Sequence, residues 1–113
     1  MRPITAWLAA AIALANPSAA VAGGAAGFTL VNDSGAALTS LDIRRSPNGA
    51  WAPLVPAISI GARFKSNFAD PDCAFDIRAS GPAAKVWAGV NLCGADTVRL
   101  KLDPSGTPWV DYD

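Results

Sequence analysis

The sequence predicts an all-β fold, a small antiparallel β-sandwich of six to seven short strands with one disulfide, preceded by a signal peptide. Three observations carry this. After residue 22 the apolar residues alternate with polar ones in short runs, each bounded by Gly, Pro, Asn or Asp. No stretch there keeps a helical period, and Glu and Gln, which favour exposed helix, are absent. The only two cysteines lie in the part that an export signal would deliver to an oxidising compartment.

The leader comes first. Arg2 supplies a positive start, Ala6–Ala15 an apolar stretch, and Asn16-Pro17 a helix break, with Ala20-Val21-Ala22 as a cleavage site. Cleavage after Ala22 divides the chain into a signal peptide, 1–22, and a single β-sandwich domain, 23–113. An uncleaved membrane anchor fits less well, because Pro17 interrupts the window and its later half is Ala and Gly. No stable membrane insertion is expected after cleavage, and the destination is the periplasm or the exterior. The processed chain loses Arg2 and so has one more Asp than Lys and Arg together.

Within the domain, Gly23–Gly27 reads as a flexible lead-in. Phe28–Asn32 has strand propensity and Asp33-Ser34-Gly35 is turn chemistry. From Leu38 to Arg45, Leu41 and Ile43 alternate with Ser40, Asp42 and Arg44, and Ser46-Pro-Asn-Gly49 turns the chain. Two prolines bar Trp51–Pro56 from a central strand, so it reads as an irregular loop. Phe64 and Phe68 share a face of the next segment. Cys73, Phe75 and Ile77 alternate with Asp76 and Arg78 before the turn Ser80-Gly-Pro82. An apolar row Val86, Ala88, Val90, Leu92 follows, then Val98, Leu100 and Leu102. Asp103-Pro-Ser-Gly106 turns into a last strand at Trp109–Tyr112.

Cys73 and Cys93 permit one pairing, which would stabilise a domain of this size by roughly 3 kcal/mol. A redox or catalytic thiol would want a CxxC motif or a histidine, and the sequence has neither. Direct pairing of the two strands creates a conflict, however. It sets Ile77 opposite Gly89 and turns Val86, Val90 and Leu92 away from the face that holds Cys73 and Ile77. Either a β-bulge near Asn91-Leu92 restores the phase, or the strands are not neighbours.

Composition excludes several classes of function. The formal net charge is zero, so the basic surface of a general nucleic-acid binder is missing. Without histidine there is no Ser-His or Cys-His catalysis and no usual zinc or haem site. No cofactor or metal is expected.

Leu30-Val-Asn32, Ser34-Gly35, Ser46-Pro47 with Trp51, Gly61, Cys73-Ala-Phe-Asp-Ile-Arg78 and Asn91-Leu-Cys93 together resemble a loosely defined group of small secreted proteobacterial proteins. Its marks are a signal peptide, a C-x-[YFW]-D-[LI] strand and a late N-L-C. The chain departs from that pattern after Trp51, where Ala52-Pro-Leu-Val stands in place of a polar Gly-x-Asp segment. The resemblance implies a periplasmic or secreted bacterial β-domain with no established activity, and no catalytic residue.

Two acidic motifs suggest chemistry. Asp33-Ser34-Gly35-Ala36 matches the D-[ST]-G-[AS] string of aspartic proteases, so a homodimeric aspartic-type hydrolase is the alternative reading. Asn32 directly before it is out of place there, and a turn held by the Asp33 side chain is the simpler expectation. Asp70, Asp72 and Asp76 could hold Ca²⁺, or could be a turn plus a solvent-facing strand residue that pairs with Arg78 or with a cross-strand neighbour. The best candidates for partner binding are Arg44, Arg45 and Trp51, residue types that dominate interfaces, unless Trp51 folds back as a lid over one end of the sandwich. The expectation is a non-enzymatic, monomeric binding or structural domain, of which an inhibitor-like module is one concrete form, with a protein or envelope component as its partner.

Overall fold

The computed structural model describes residues 24–81 and 84–113. The proposed leader, and Pro82 of the third turn, lie outside them. Within the described residues there is no helix, and ten strands are present: β1 (Ala25–Ala26), β2 (Thr29–Asp33), β3 (Leu38–Arg45), β4 (Ala52–Ile58), β5 (Arg63–Lys65), β6 (Ala69–Asp70), β7 (Ala74–Ser80), β8 (Lys85–Asn91), β9 (Thr97–Leu102) and β10 (Pro108–Tyr112).

They form two four-stranded sheets, ordered β10-β9-β2-β5 and β4-β3-β7-β8, and a two-stranded ribbon of β1 and β6. Alternation places one apolar row of each sheet inside. Leu30, Val98 and Leu100 come from the first sheet, and Leu41, Ile43, Phe75, Ile77, Trp87 and Val90 from the second, all buried. Phe68 closes one end, edge-on to Phe28 and Phe75 with ring centres 6.2 and 5.2 Å apart. No helix of the described residues is long and apolar enough to cross a membrane.

The expected antiparallel plan holds except at one junction. β2 runs parallel to β9, with Leu30 beside Val98 and Asn32 beside Leu100. The intervening chain builds the whole opposite sheet before returning, which is the long crossover that parallel neighbours require.

Residues 52–58 are a strand, which corrects the loop expected from Pro53 and Pro56. β4 is the outer strand of its sheet and, among the described residues, pairs with β3 alone. An edge needs donors on one side alone, so proline is tolerated. The lead-in is also more structured than expected. Ala25 is buried, its amide donates to the Asp72 carbonyl at 3.1 Å, and it bridges Cys93. Gly24 packs so closely that a Cβ there would lie 2.3 Å from the Asp70 carbonyl oxygen.

The Cys73–Cys93 disulfide is present, with Cα atoms 5.1 Å apart, and β7 and β8 are neighbours. Between Val90 and Cys93 the phase does shift at Asn91-Leu92, where two residues face Ala74 alone between Phe75 and Cys73. The β7–β8 ladder itself holds one more shift, which the conflict did not announce. Ile77 pairs with Trp87 and Phe75 with Val90, so the extra residue falls at Ala88-Gly89, where Gly89 has φ +64°. Trp87, Val90 and Leu92 therefore face the core, while Val86, expected inside, is 46% exposed. A second irregularity in β3 has the same effect. Ser40 takes φ +49° where the register shifts, and Leu38 joins Leu41 in the core.

Candidate functional site

β3 and β7 carry the same tripeptide, Asp42-Ile43-Arg44 and Asp76-Ile77-Arg78. They pair antiparallel with Ile43 opposite Ile77, Asp42 opposite Arg78 and Arg44 opposite Asp76. Both isoleucines enter the core, so all four charged residues stand on the outer face, each beside its opposite charge. Arg44 Nε donates to Asp76 Oδ2 at 2.8 Å, and Arg78 Nε donates to Asp42 Oδ2 at 3.2 Å.

Trp51, delivered by the Ser46–Gly49 turn just before β4, lies on this ladder. The Arg44 and Arg78 guanidinium carbons sit 4.4 and 4.2 Å from the centre of its ring. Such contacts contribute on the order of 0.5–1 kcal/mol each at exposed sites. Trp51 is half-buried and stands apart from the apolar core cluster, so it is not a lid over the end of the sandwich.

The ladder's inner anchor is Asp76, whose side chain is only 3% exposed. The sequence pattern placed it in solvent. Burial pushes its carboxyl up, but the Gly89 amide at 2.9 Å, Arg44 and the Ser46 hydroxyl outweigh that and hold it below the ordinary range. The bulge exposes the Gly89 amide to this acceptor, so the irregularity that sets the core phase also seats the carboxylate.

The expected contact trio therefore divides. Arg44 and Trp51 come together, and Arg78, which sequence reasoning missed, completes the group. The signal that could have found it is the repeated Asp-Ile-Arg. Arg45 points to the end of the sandwich, where its Nη2 meets Asp70 at 2.9 Å and its Nε lies 3.8 Å from Asp72. The Asp70 carboxyl is pushed up by burial but held low overall by the Asp72 amide and Arg45. A cavity of about 240 Å³ is lined by Ile43, Arg44, Arg45, Phe68, Asp70 and Phe75.

Asp70–Asp72 is the expected turn, with the Asp72 amide donating to Asp70 Oδ1 at 2.8 Å, and Asp76 has a cross-strand partner in Arg44. Asp70 and Asp72 share Arg45 while Asp76 belongs to the ladder, and no group of three metal-ligating residues is found among the described residues. Asp33 does not hold its own turn. Its Oδ2 lies 3.3 Å from Arg99 Nη1 and 3.8 Å from Lys101 Nζ, and Arg99 also binds Asp113 at 2.8 Å. The turn is held by Asn32, fully buried, whose Oδ1 accepts from the Ser34 amide and hydroxyl at 3.1 and 2.6 Å.

No protein-family model and no curated protein matches the sequence. A solved structure, the NMR structure of a protein from Eubacterium rectale, is similar in fold, with a TM-score of 0.54 and 13% identity over 78% of this chain and 87% of that one. At that identity the likeness concerns the β-sandwich architecture alone.

Proposed function

We propose that this chain is an exported, non-enzymatic binding domain that acts in the periplasm or outside the cell and recognises its partner with the outer face of β4-β3-β7-β8. The observation that carries the reading is the Arg44–Trp51–Arg78 group. Two arginines fixed by two carboxylates lie against one tryptophan on the outer sheet face, all three of types that dominate recognition surfaces. The disulfide and the leader-like N-terminus support the location.

The test immobilises the protein in the processed form that cells export and exposes it to envelope and culture-supernatant fractions. A component should be retained by the wild type and lost with both Trp51→Ala and Arg78→Ala, with melting curves confirming that both variants fold. Retention indifferent to both changes would place recognition elsewhere. Export itself is checked by N-terminal sequencing, which should begin at Gly23.

A further inference from the structure

We propose that the Arg44–Trp51–Arg78 group is a carboxylate-binding site, an assignment that rests on the recognition face just described. Each guanidinium is already fixed at one edge. Arg44 spends Nε on Asp76 and Arg78 spends Nε on Asp42, and both lie against the same indole. Within the described residues, the terminal η nitrogens of both arginines have no hydrogen-bond partner. Each arginine thus presents a forked pair of donors whose orientation is set before any ligand arrives. That fork matches the planar, two-oxygen shape of a carboxylate, and holding it in advance removes part of the entropic cost of binding.

Charge and shape narrow the ligand further. The two guanidinium groups are balanced by Asp42 and Asp76, so a singly charged group meets less repulsion than a doubly charged phosphate would. A cationic ligand would need the indole face that the guanidinium carbons occupy. An apolar ligand would have to strip water from the guanidinium donors without replacing their hydrogen bonds. Two forks beside one ring suit two carboxylates better than one.

The experiment titrates acetate, succinate and inorganic phosphate, at neutral pH and matched ionic strength against chloride, into the isotopically labelled processed protein. The Nε–H signals of Arg44 and Arg78 and the indole N–H of Trp51 are followed by NMR. Saturable shifts of all three are expected with both acids, with succinate binding more tightly than acetate and than phosphate. Arg44→Lys or Arg78→Lys should weaken succinate about tenfold, the equivalent of one charged hydrogen bond. Arg63→Lys, an exposed arginine of the other sheet, should change nothing.

Polygalacturonate separates sources, because tighter binding than succinate per carboxylate marks a chain-borne ligand and weaker binding a free acid. Shifts that chloride reproduces, or that survive both lysine variants, overturn the assignment. If no carboxylate saturates while an envelope component is still lost with Arg78→Ala, the ligand class is wrong and the recognition face stands. If both results are negative, both readings fall.

Discussion

Arg44 and Asp76 face each other across β3 and β7, 2.8 Å apart, with the carboxylate nearly enclosed and the guanidinium about a quarter exposed. Removing the acid should therefore cost more than removing a surface charge. Asp76→Ala strands the Gly89 amide and leaves Arg44 without its partner, for a loss of roughly 2 kcal/mol. Urea denaturation measures it. A loss no larger than that of Asp42→Ala, whose carboxylate is more exposed, would contradict the role of Asp76 as anchor.

The same pair sets a pH dependence. Because the folded carboxyl is held below its ordinary value, the unfolded chain binds a proton first as pH falls. The contribution is complete above the unfolded value of about 4 and is lost as pH drops through the lower folded value. Asp70 and Asp103 are also held low and add to the acid loss. The difference between wild type and Asp76→Asn isolates one carboxyl. Stability measured from pH 7 to pH 2 should fall more steeply in the wild type below pH 4.

Much of this architecture is legible in the residues. Turn chemistry at Ser46–Gly49 and Asp103–Gly106, alternation around Ile43, Ile77 and Leu100, and the cysteine pair each depend on local pattern, and local pattern is what a sequence displays. The bulges are different. Ser40 and Gly89 take positive φ inside apolar runs, and each shifts the phase by one residue, so Trp87 and Val86 exchange faces. The conflict between Cys93 and Val90 locates the shift at Asn91-Leu92, but nothing in the alternation points to the further shift at Ala88-Gly89, where a glycine looks like any other strand residue. Pro53 and Pro56 do not break β4, since the cost of proline depends on whether a strand has one neighbour or two. Arg78 was missed because alternation assigns a face without naming the partner across the sheet.

Gly89 offers a clean test of the bulge. Its φ is +64° and a Cβ would meet no atom within 4 Å, so substitution perturbs the backbone alone. Gly89→Ala should cost about 1 kcal/mol, the usual penalty for a left-handed alanine. Gly89→Asn should cost less, since asparagine tolerates that conformation. Equal stability of Gly89→Ala and wild type would argue against the bulge.

The disulfide closes β7 against β8 and also supports β1, because Cys93 bridges Ala25. Cys73→Ser and Cys93→Ser should each lower stability by about 3 kcal/mol, and the double change should cost little more than either alone. Amide exchange adds a local readout. The Ala25 amide, bonded to Asp72 beside the bridge, should lose protection beyond the global change in either variant. Additive losses from the two substitutions would mean that the cysteines act separately.

Asn32 and Asp33 are adjacent and should respond in opposite ways. Asn32 is fully buried, and its amide nitrogen donates to the carbonyls of Ala36 at 2.8 Å, Ile58 at 2.9 Å and Ser59 at 3.2 Å. It thereby ties the β2–β3 turn to the end of β4. Asn32→Asp keeps shape and size but replaces a donor with an acceptor among those carbonyls, placing an unpaired charge in the interior. The expected cost is about 3–5 kcal/mol at neutral pH, smaller in acid where the new carboxyl can be neutral. Asp33 is partly exposed and, among the described residues, its carboxylate meets Arg99 and Lys101. Asp33→Asn keeps the turn, since Asn32 holds it, and should barely move the urea midpoint. The pair of variants also separates the binding reading from the hydrolase one. A protease using Asp33 would lose acid-dependent peptide cleavage in Asp33→Asn with its stability intact. The expected result is that the wild type shows no such cleavage to lose. Cleavage by the wild type that disappears in Asp33→Asn would replace the binding domain with an enzyme.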